Sequence, residues 1–301
     1  MPIFSRRVNI IWYNHPNGKN FGDELVPYML PRLFNIEVQN VIESGFRRNH
    51  FIIHLIKYVL KLLGYSKNYE PKTYYTIGSI LNGADRDTVI WGSGIIDKSS
   101  SFDSTELLAV RGFETYKRAM SLGLPHPKAV GDPALLLPII LPFATTKQTN
   151  KQYGIVPHYV DKPLLFDWNN STTIRVIDLT APEIESIVEA IVQCKYILSS
   201  SLHGIITAHA YGIPALWVKF SDKLTGDGIK FKDYFSSVQI PYYKAICLNP
   251  EQTLTSTQIA ELFERNQQVM LPSKELIKNI QENLLHVAPF PLKKQIRLLL
   301  K

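Results

Sequence analysis

The sequence predicts an α/β protein of two halves, each a parallel sheet wrapped by helices, facing one another across a cleft. Three observations carry that reading. Short apolar, β-branched runs alternate with helical patterns, as βαβ units in parallel sheets require. A length of 301 residues suits two modest domains. A stretch with two prolines and then T-T-K-Q-T-N-K-Q, over 137–150, reads as a linker between them. Halves of this kind are Rossmann-like domains; the rival arrangement is one continuous doubly wound sheet. The expected boundaries are 1–140 for the first domain, 151–270 for the second, and 271–301 for C-terminal helices that pack back on the first.

The elements follow in order. Residues 8–13 are expected to form the first strand. A polar loop, N-H-P-N-G-K-N-F-G, then leads into a helix from about Asp23, with Pro27 in its first turn and Pro31 kinking or ending it. Further strands are expected at 74–77, 88–91, 107–110 and 129–130, with a helix over 113–122. In the second half, strands are expected at 153–157, 173–177, 196–199 and 215–218. Helices are expected over 182–194 and 204–211, with further helical segments to the end.

Composition narrows the function. Hydrophobic residues make up 45% and charged residues 20%, which fits a folded soluble chain and argues against disorder. The longest apolar run, over 51–63, is broken by His54, Lys57 and Lys61, too short and too charged to span a bilayer. Arg6 and Arg7 precede a short apolar stretch with no small-residue cleavage site, so no signal peptide is read. Cys194 and Cys247 form no metal-spaced pair and suit a reducing compartment, so a cytoplasmic location is expected. The eight histidines are scattered and no metal site is expected. The net charge of +7 suits an anionic ligand or a membrane surface. No nucleic-acid signature accompanies it, and no nucleic-acid partner is expected.

Ligands of open α/β sheets collect at the C-terminal ends of the strands, where helix N-termini point. Three loops are candidates. The first holds Asn20, Gly22 and Asp23, with Asp23 as a plausible N-cap; capping alone accounts for it equally well. The second is Trp91-Gly92-Ser93-Gly94, a short turn resembling a phosphate cradle but lacking the full dinucleotide fingerprint. The third runs Ser199-Ser200-Ser201-Leu202-His203-Gly204, where a strand ends and a helix begins at or just after His203. Free backbone N–H groups make that end an anion site, and His203 can move protons near neutral pH. His209, six residues on, faces elsewhere and is read as structural. The lysine-rich loop 219–232, with Lys219 and Lys230, can draw in a phosphate or carboxylate or simply be solvated. Arg111, directly after a buried strand, must be paired by a ligand or by an internal salt bridge.

N-F-G-D-E-L, W-G-S-G-I, A-V-R-G-F-E-T, G-D-P-A-L-L-L-P and S-S-L-H-G-I-I-T-A-H-A-Y-G-I-P-A occur in that order over about three-quarters of the chain. Together they resemble the polysaccharide pyruvyl transferase family. The resemblance implies a glycosyltransferase-B-like fold with the acceptor on the first domain and the donor on the second. The donor substrate would be phosphoenolpyruvate, with no cofactor, and the product a pyruvate ketal on a sugar of a surface polysaccharide or its lipid-linked precursor. It implies donor contacts from His203 and Arg111, with His158 a further candidate at the domain junction. Many members carry arginine where this chain has Ser201, so a lysine of 219–232 or Arg111 is expected to take more of the donor's charge. The rival readings are a nucleotide-sugar-dependent glycosyltransferase and a non-catalytic glycan-binding relative. The basic, apolar segment 46–65 suggests contact with the inner face of the cytoplasmic membrane; a core-facing helix is the alternative.

Overall fold

The computed structural model describes residues 6–13, 20–41, 72–143, 153–224 and 227–299. Eleven strands among them form two separate parallel sheets rather than one. The first sheet contains β1 (Arg6–Ile11), β2 (Ile36–Asn40), β3 (Thr73–Tyr75), β4 (Thr88–Trp91), β5 (Glu106–Val110) and β6 (Ala129–Val130). Its order is β2-β1-β3-β4-β5-β6. The second contains β7 (Tyr153–Val156), β8 (Ile174–Val176), β9 (Tyr196–Ser199), β10 (Ala215–Lys219) and β11 (Ile246–Cys247), in the order β11-β10-β9-β7-β8. The central strands β4 and β7 are buried at every position, as expected where helices cover both faces.

The connecting helices are α1 (Phe21–Leu33), α2 (Phe113–Ser121), α3 (Leu137–Ile140), α4 (Ile184–Val192), α5 (Leu202–Ala210), α6 (Ile229–Ser237), α7 (Ser256–Arg265), α8 (Lys274–His286) and α9 (Lys294–Leu299). A 3₁₀ turn, Pro133–Leu136, precedes α3. The proline-containing stretch expected as a linker therefore begins as packed structure. Leu135, Leu136 and Leu137 are fully buried.

Strand order fixes where ligands can enter. The first sheet reverses direction of growth between β1 and β3, and the second between β7 and β9. At such a switch point the loops leave to opposite sides and open a crevice above the strand ends. The crevice of the first sheet is bordered by Asn20–Asp23 after β1 and by Gly78 after β3. That of the second is bordered by His158 after β7 and Ser200–His203 after β9. The two crevices meet, because the His203 ring lies against Gly22.

Several local expectations are corrected. α1 starts at Phe21 with Asn20 as N-cap, so Asp23 is its third residue and not the cap. Both prolines lie inside α1, which continues through Pro31 to Leu33. Its buried face of Leu25, Val26, Met29, Leu30 and Leu33 supplies the packing that offsets the missing backbone bonds. The strands β2 and β11 were not expected. I-E-V-Q-N has only two buried residues, and two-residue β11 is an edge strand whose residues are not fully buried. Segment 46–65 lies outside the described residues. Among those described, no helix is long and apolar enough to cross a membrane.

Past the second sheet the chain returns to the first. Trp91 Nε1 donates to the Leu284 carbonyl at 3.0 Å, and Gln281 Nε2 to that of Leu135 at 2.6 Å. Phe290 packs against Phe34 and Tyr74. α8 and α9 thus cover the first domain.

Candidate active site at the domain junction

The N-terminus of α5 projects into the junction. β9 ends at Ser199, whose hydroxyl lies 2.8 Å from the carbonyls of Val156 and Ser201 and accepts from the Ser201 N–H at 3.0 Å. This turn delivers Leu202 to the buried side and His203 to the junction. Ser200 is drawn inward: its hydroxyl donates to buried Asp161 at 2.7 Å and accepts from the His158 N–H at 2.9 Å. Ser221 donates to the other oxygen of Asp161 at 2.5 Å. Ser200 therefore braces β7, β9 and β10 against each other. The His158 N–H joins this brace, and its ring packs on Tyr159 with Nδ1 3.5 Å from the Val160 nitrogen.

His203 is boxed in by both domains. A Cβ at position 22 would overlap its ring, so only glycine in the first turn of α1 lets the ring approach. On the far side, Nε2 stands 4.0 Å from Oδ2 of Asp132. Neither atom has a hydrogen-bond partner, and the gap is too long for a direct bond. Burial, with Arg111 and Lys230 nearby, pushes the His203 pKa down to about 3, so the ring is neutral. Asp132 is fully buried, and burial raises its carboxyl to about 6. Asp23, another buried carboxyl at the junction, accepts from Asn20 Nδ2 at 2.7 Å, and burial raises it also to about 6.

Arg111 is fully buried. Its Nε donates to Asp233 Oδ2 at 2.9 Å, Nη2 to the Ile95 carbonyl at 2.7 Å, and Nη1 to the Ser79 hydroxyl. Thr115 adds two further bonds to Asp233 at 2.7 Å. Of the two expectations for Arg111, the internal salt bridge is the one present, and it ties α6 of the second domain to the first. W-G-S-G serves the same end. The amides of Gly92 and Gly94 donate to Ala109 and Gly78 carbonyls, and the missing side chain at Gly94 leaves room for the guanidinium. Ser93 donates to the Gly78 carbonyl at 2.9 Å. The turn is spent on packing and has little left with which to cradle a phosphate.

A family comparison bears on this junction. A model of the polysaccharide pyruvyl transferases matches residues 20–222, a span that starts at Asn20 and includes Arg111, Asp132 and His203. The chain belongs to the polysaccharide pyruvyl transferase family. Membership makes it a pyruvyl transferase of polysaccharide biosynthesis with a saccharide acceptor. It is also similar to an uncharacterized protein, L143, of Acanthamoeba polyphaga mimivirus. The two are 34% identical over 204 residues, which cover 64% of this chain and 70% of the other.

Within this pyruvyl transferase, the remaining expected residues divide by surroundings. Lys230 is half-buried on α6, and no carboxylate pairs with it among the described residues. Burial and the nearby Arg111 lower its pKa to about 8. Lys219 instead pairs with Asp222. The Ser201 hydroxyl makes no hydrogen bond among the described residues. Leu202 is buried, and Gly204 packs closely on Ser199 and Val156. His209 is structural, bonded to the Tyr234 hydroxyl at 3.0 Å and the Met270 carbonyl at 3.1 Å. A cavity of about 530 Å³ opens beside Lys230, with Trp217, Phe231 and Tyr242 as its aromatic walls and Lys219 and Lys244 at its edge. Among the described residues no group of three or more His, Cys, Asp or Glu is placed to hold a metal.

Asp132, Asp161 and Asp233 also border the junction, and beyond the G-D-P motif nothing in the sequence says which buried carboxylate meets His203.

Proposed function

We propose that this family member transfers pyruvate from phosphoenolpyruvate to two hydroxyls of one sugar, forming a ketal and releasing phosphate. The observation that carries the reading is the His203 centre: an unpartnered, buried, neutral imidazole in the field of Arg111 and of Lys230, a cation lacking a carboxylate partner. A half-buried cation without a counter-charge has lost part of its hydration and is favoured by a ligand that supplies the anion. The donor carries a phosphate and a carboxylate, and Lys230 takes the charge that an arginine at position 201 would otherwise meet. The free N–H groups at the start of α5 add donors for the same anion. Two parallel sheets meeting at their switch points favour a glycosyltransferase-B-like arrangement.

The acceptor is read as a lipid-linked saccharide in the cavity beside Lys230, which the second domain lines, rather than on the first domain as the resemblance implies. Trp217 and Tyr242 offer faces for a sugar ring, and Lys219 and Lys244 suit the phosphates of a lipid carrier. That cavity is larger than a three-carbon donor needs, which leaves room for the sugar. Such an acceptor implies work at the inner face of the cytoplasmic membrane.

Incubation with phosphoenolpyruvate and a panel of lipid-linked saccharides tests the reading. Phosphate release is expected together with a product carrying the mass of a pyruvate ketal. Thermal protection by nucleotides, and none by phosphoenolpyruvate, would favour a nucleotide-sugar glycosyltransferase instead. His203→Ala is expected to abolish turnover; near wild-type turnover would remove His203 from the chemistry.

A further inference from the structure

We propose that Asp132 is the acid of this centre, protonating the methylene carbon of the donor while His203 accepts the proton of the attacking sugar hydroxyl. The assignment rests on the donor reading above and adds a residue to it. Its basis is geometric. Oδ1 of Asp132 accepts the Ala134 N–H at 2.9 Å, which caps the 3₁₀ turn and fixes the carboxyl plane. Oδ2 is left buried, without a partner, and directed at an equally unpartnered Nε2 at 4.0 Å. Two buried orphan atoms facing each other across such a gap are costly in an empty site and are satisfied once a ligand enters. Asp23 does not fit the role, since both Asn20 and the Tyr13 backbone hydrogen-bond its carboxyl and neither of its oxygens is a buried orphan.

The groups facing the pair come from every element around it. Arg111 and Asp233 act on Asp132, Arg111 and Lys230 act on His203, and Tyr234 senses Asp132. α8, packed behind β6, brings aliphatic Ile280 and Leu284 against Gly131. The site is therefore dry on that side, and burial keeps a proton on Asp132 to higher pH than on an exposed carboxyl.

The step balances. The O–H bond of Asp132 breaks as the C–H bond at the methylene forms, using the π pair of the enol. The first sugar oxygen bonds to the central carbon, and its proton passes to His203. The carbon–oxygen bond to phosphate then breaks, its electron pair leaving with phosphate. The second sugar oxygen bonds to the same carbon, and its proton leaves on the phosphate. His203 finally returns its proton to Asp132 through a water that enters the gap as the products leave. One hydroxyl proton ends on the new methyl group and the other on hydrogen phosphate.

Asp132→Asn tests this, because the amide oxygen keeps the Ala134 cap while the dissociable proton is lost. The expected result is a kcat reduced at least about 100-fold, with the KM for phosphoenolpyruvate and its thermal protection nearly unchanged. Wild-type kcat is expected to fall as pH rises through a value at or above about 6. The variant's residual rate should lack that limb. An Asp132→Asn enzyme with wild-type turnover and an unchanged pH profile overturns the assignment. If the variant does not fold, the wild-type profile decides: a kcat that stays flat well past that value overturns it. A wild type that neither binds nor turns over phosphoenolpyruvate overturns the donor reading and this assignment with it. Wild-type turnover combined with an active variant overturns the assignment alone.

Discussion

Asp132 loses its hydration on folding and gains no cation within bonding distance in return. Its proton is therefore held more tightly in the folded chain than in the unfolded one, with a pKa raised from 3.8 to about 6. A raised carboxyl pKa stabilises the fold fully below 3.8, and that contribution is lost as pH rises through about 6. The loss is about 3 kcal/mol. His209, pushed down to about 4 by burial, works in the opposite sense, losing stability as pH falls below 6.5. The difference between Asp132→Asn and wild type isolates the carboxyl. The variant should gain in melting temperature relative to wild type between pH 4 and pH 7, and a constant difference would contradict this. Gly22→Ala acts on the other wall of the same site. Alanine favours the helix by up to about 1 kcal/mol, but its Cβ must displace the His203 ring. The overlap is expected to win, with a net loss of about 1–2 kcal/mol in urea unfolding and a larger loss of turnover. At this scale His203 was legible because a strand-to-helix switch marks an anion site in sequence. Asp132 was not, because its meeting with His203 joins residues of two domains.

The link between α6 and the first sheet is a fully buried ion pair, Arg111 with Asp233. Removing one member strands the other charge away from water, which costs about 3–5 kcal/mol. Asp233→Ala should lose that much in urea unfolding, and Arg111→Met a comparable amount. The double change Arg111→Met with Asp233→Leu should cost less than either alone, since no orphan charge remains. Strictly additive losses would mean that the pair does not couple α6 to the first domain. Sequence predicted that Arg111 must be paired but not by what, because 122 residues separate it from Asp233. The same limit explains the element record. Strands with continuous apolar runs, such as T-V-I-W and Y-I-L-S, were legible to the residue. Half-exposed β2 and two-residue β11 carry no such pattern.

The two sheets are not independent folding units, although each has its own strand order. One apolar cluster runs through both halves, joining Leu30, Trp91 and Leu135 of the first to Ile205, Phe231 and Tyr234 of the second. α5 packs on the 3₁₀ turn Pro133–Leu136, and α8 seals the first sheet through Trp91 and Gly131. Alternating patterns made two parallel halves legible, but the shared core depends on contacts between residues far apart in sequence. That core predicts one cooperative transition in denaturant, with tryptophan fluorescence and far-ultraviolet circular dichroism coincident. The C-terminal helices sharpen the test. A chain ending before Ser273 keeps every described strand of both sheets yet strips the cover from Trp91, Phe34 and Gly131. If α8 and α9 merely decorate the surface, such a chain melts within a few degrees of the intact protein. If they complete the first core, it loses its cooperative transition and exposes apolar surface that binds a hydrophobic dye. The second outcome is expected, because the buried faces of Ile277, Ile280, Leu284 and Leu285 each contribute about 1.5–3 kcal/mol when removed from water, a sum comparable to the whole stability of a domain.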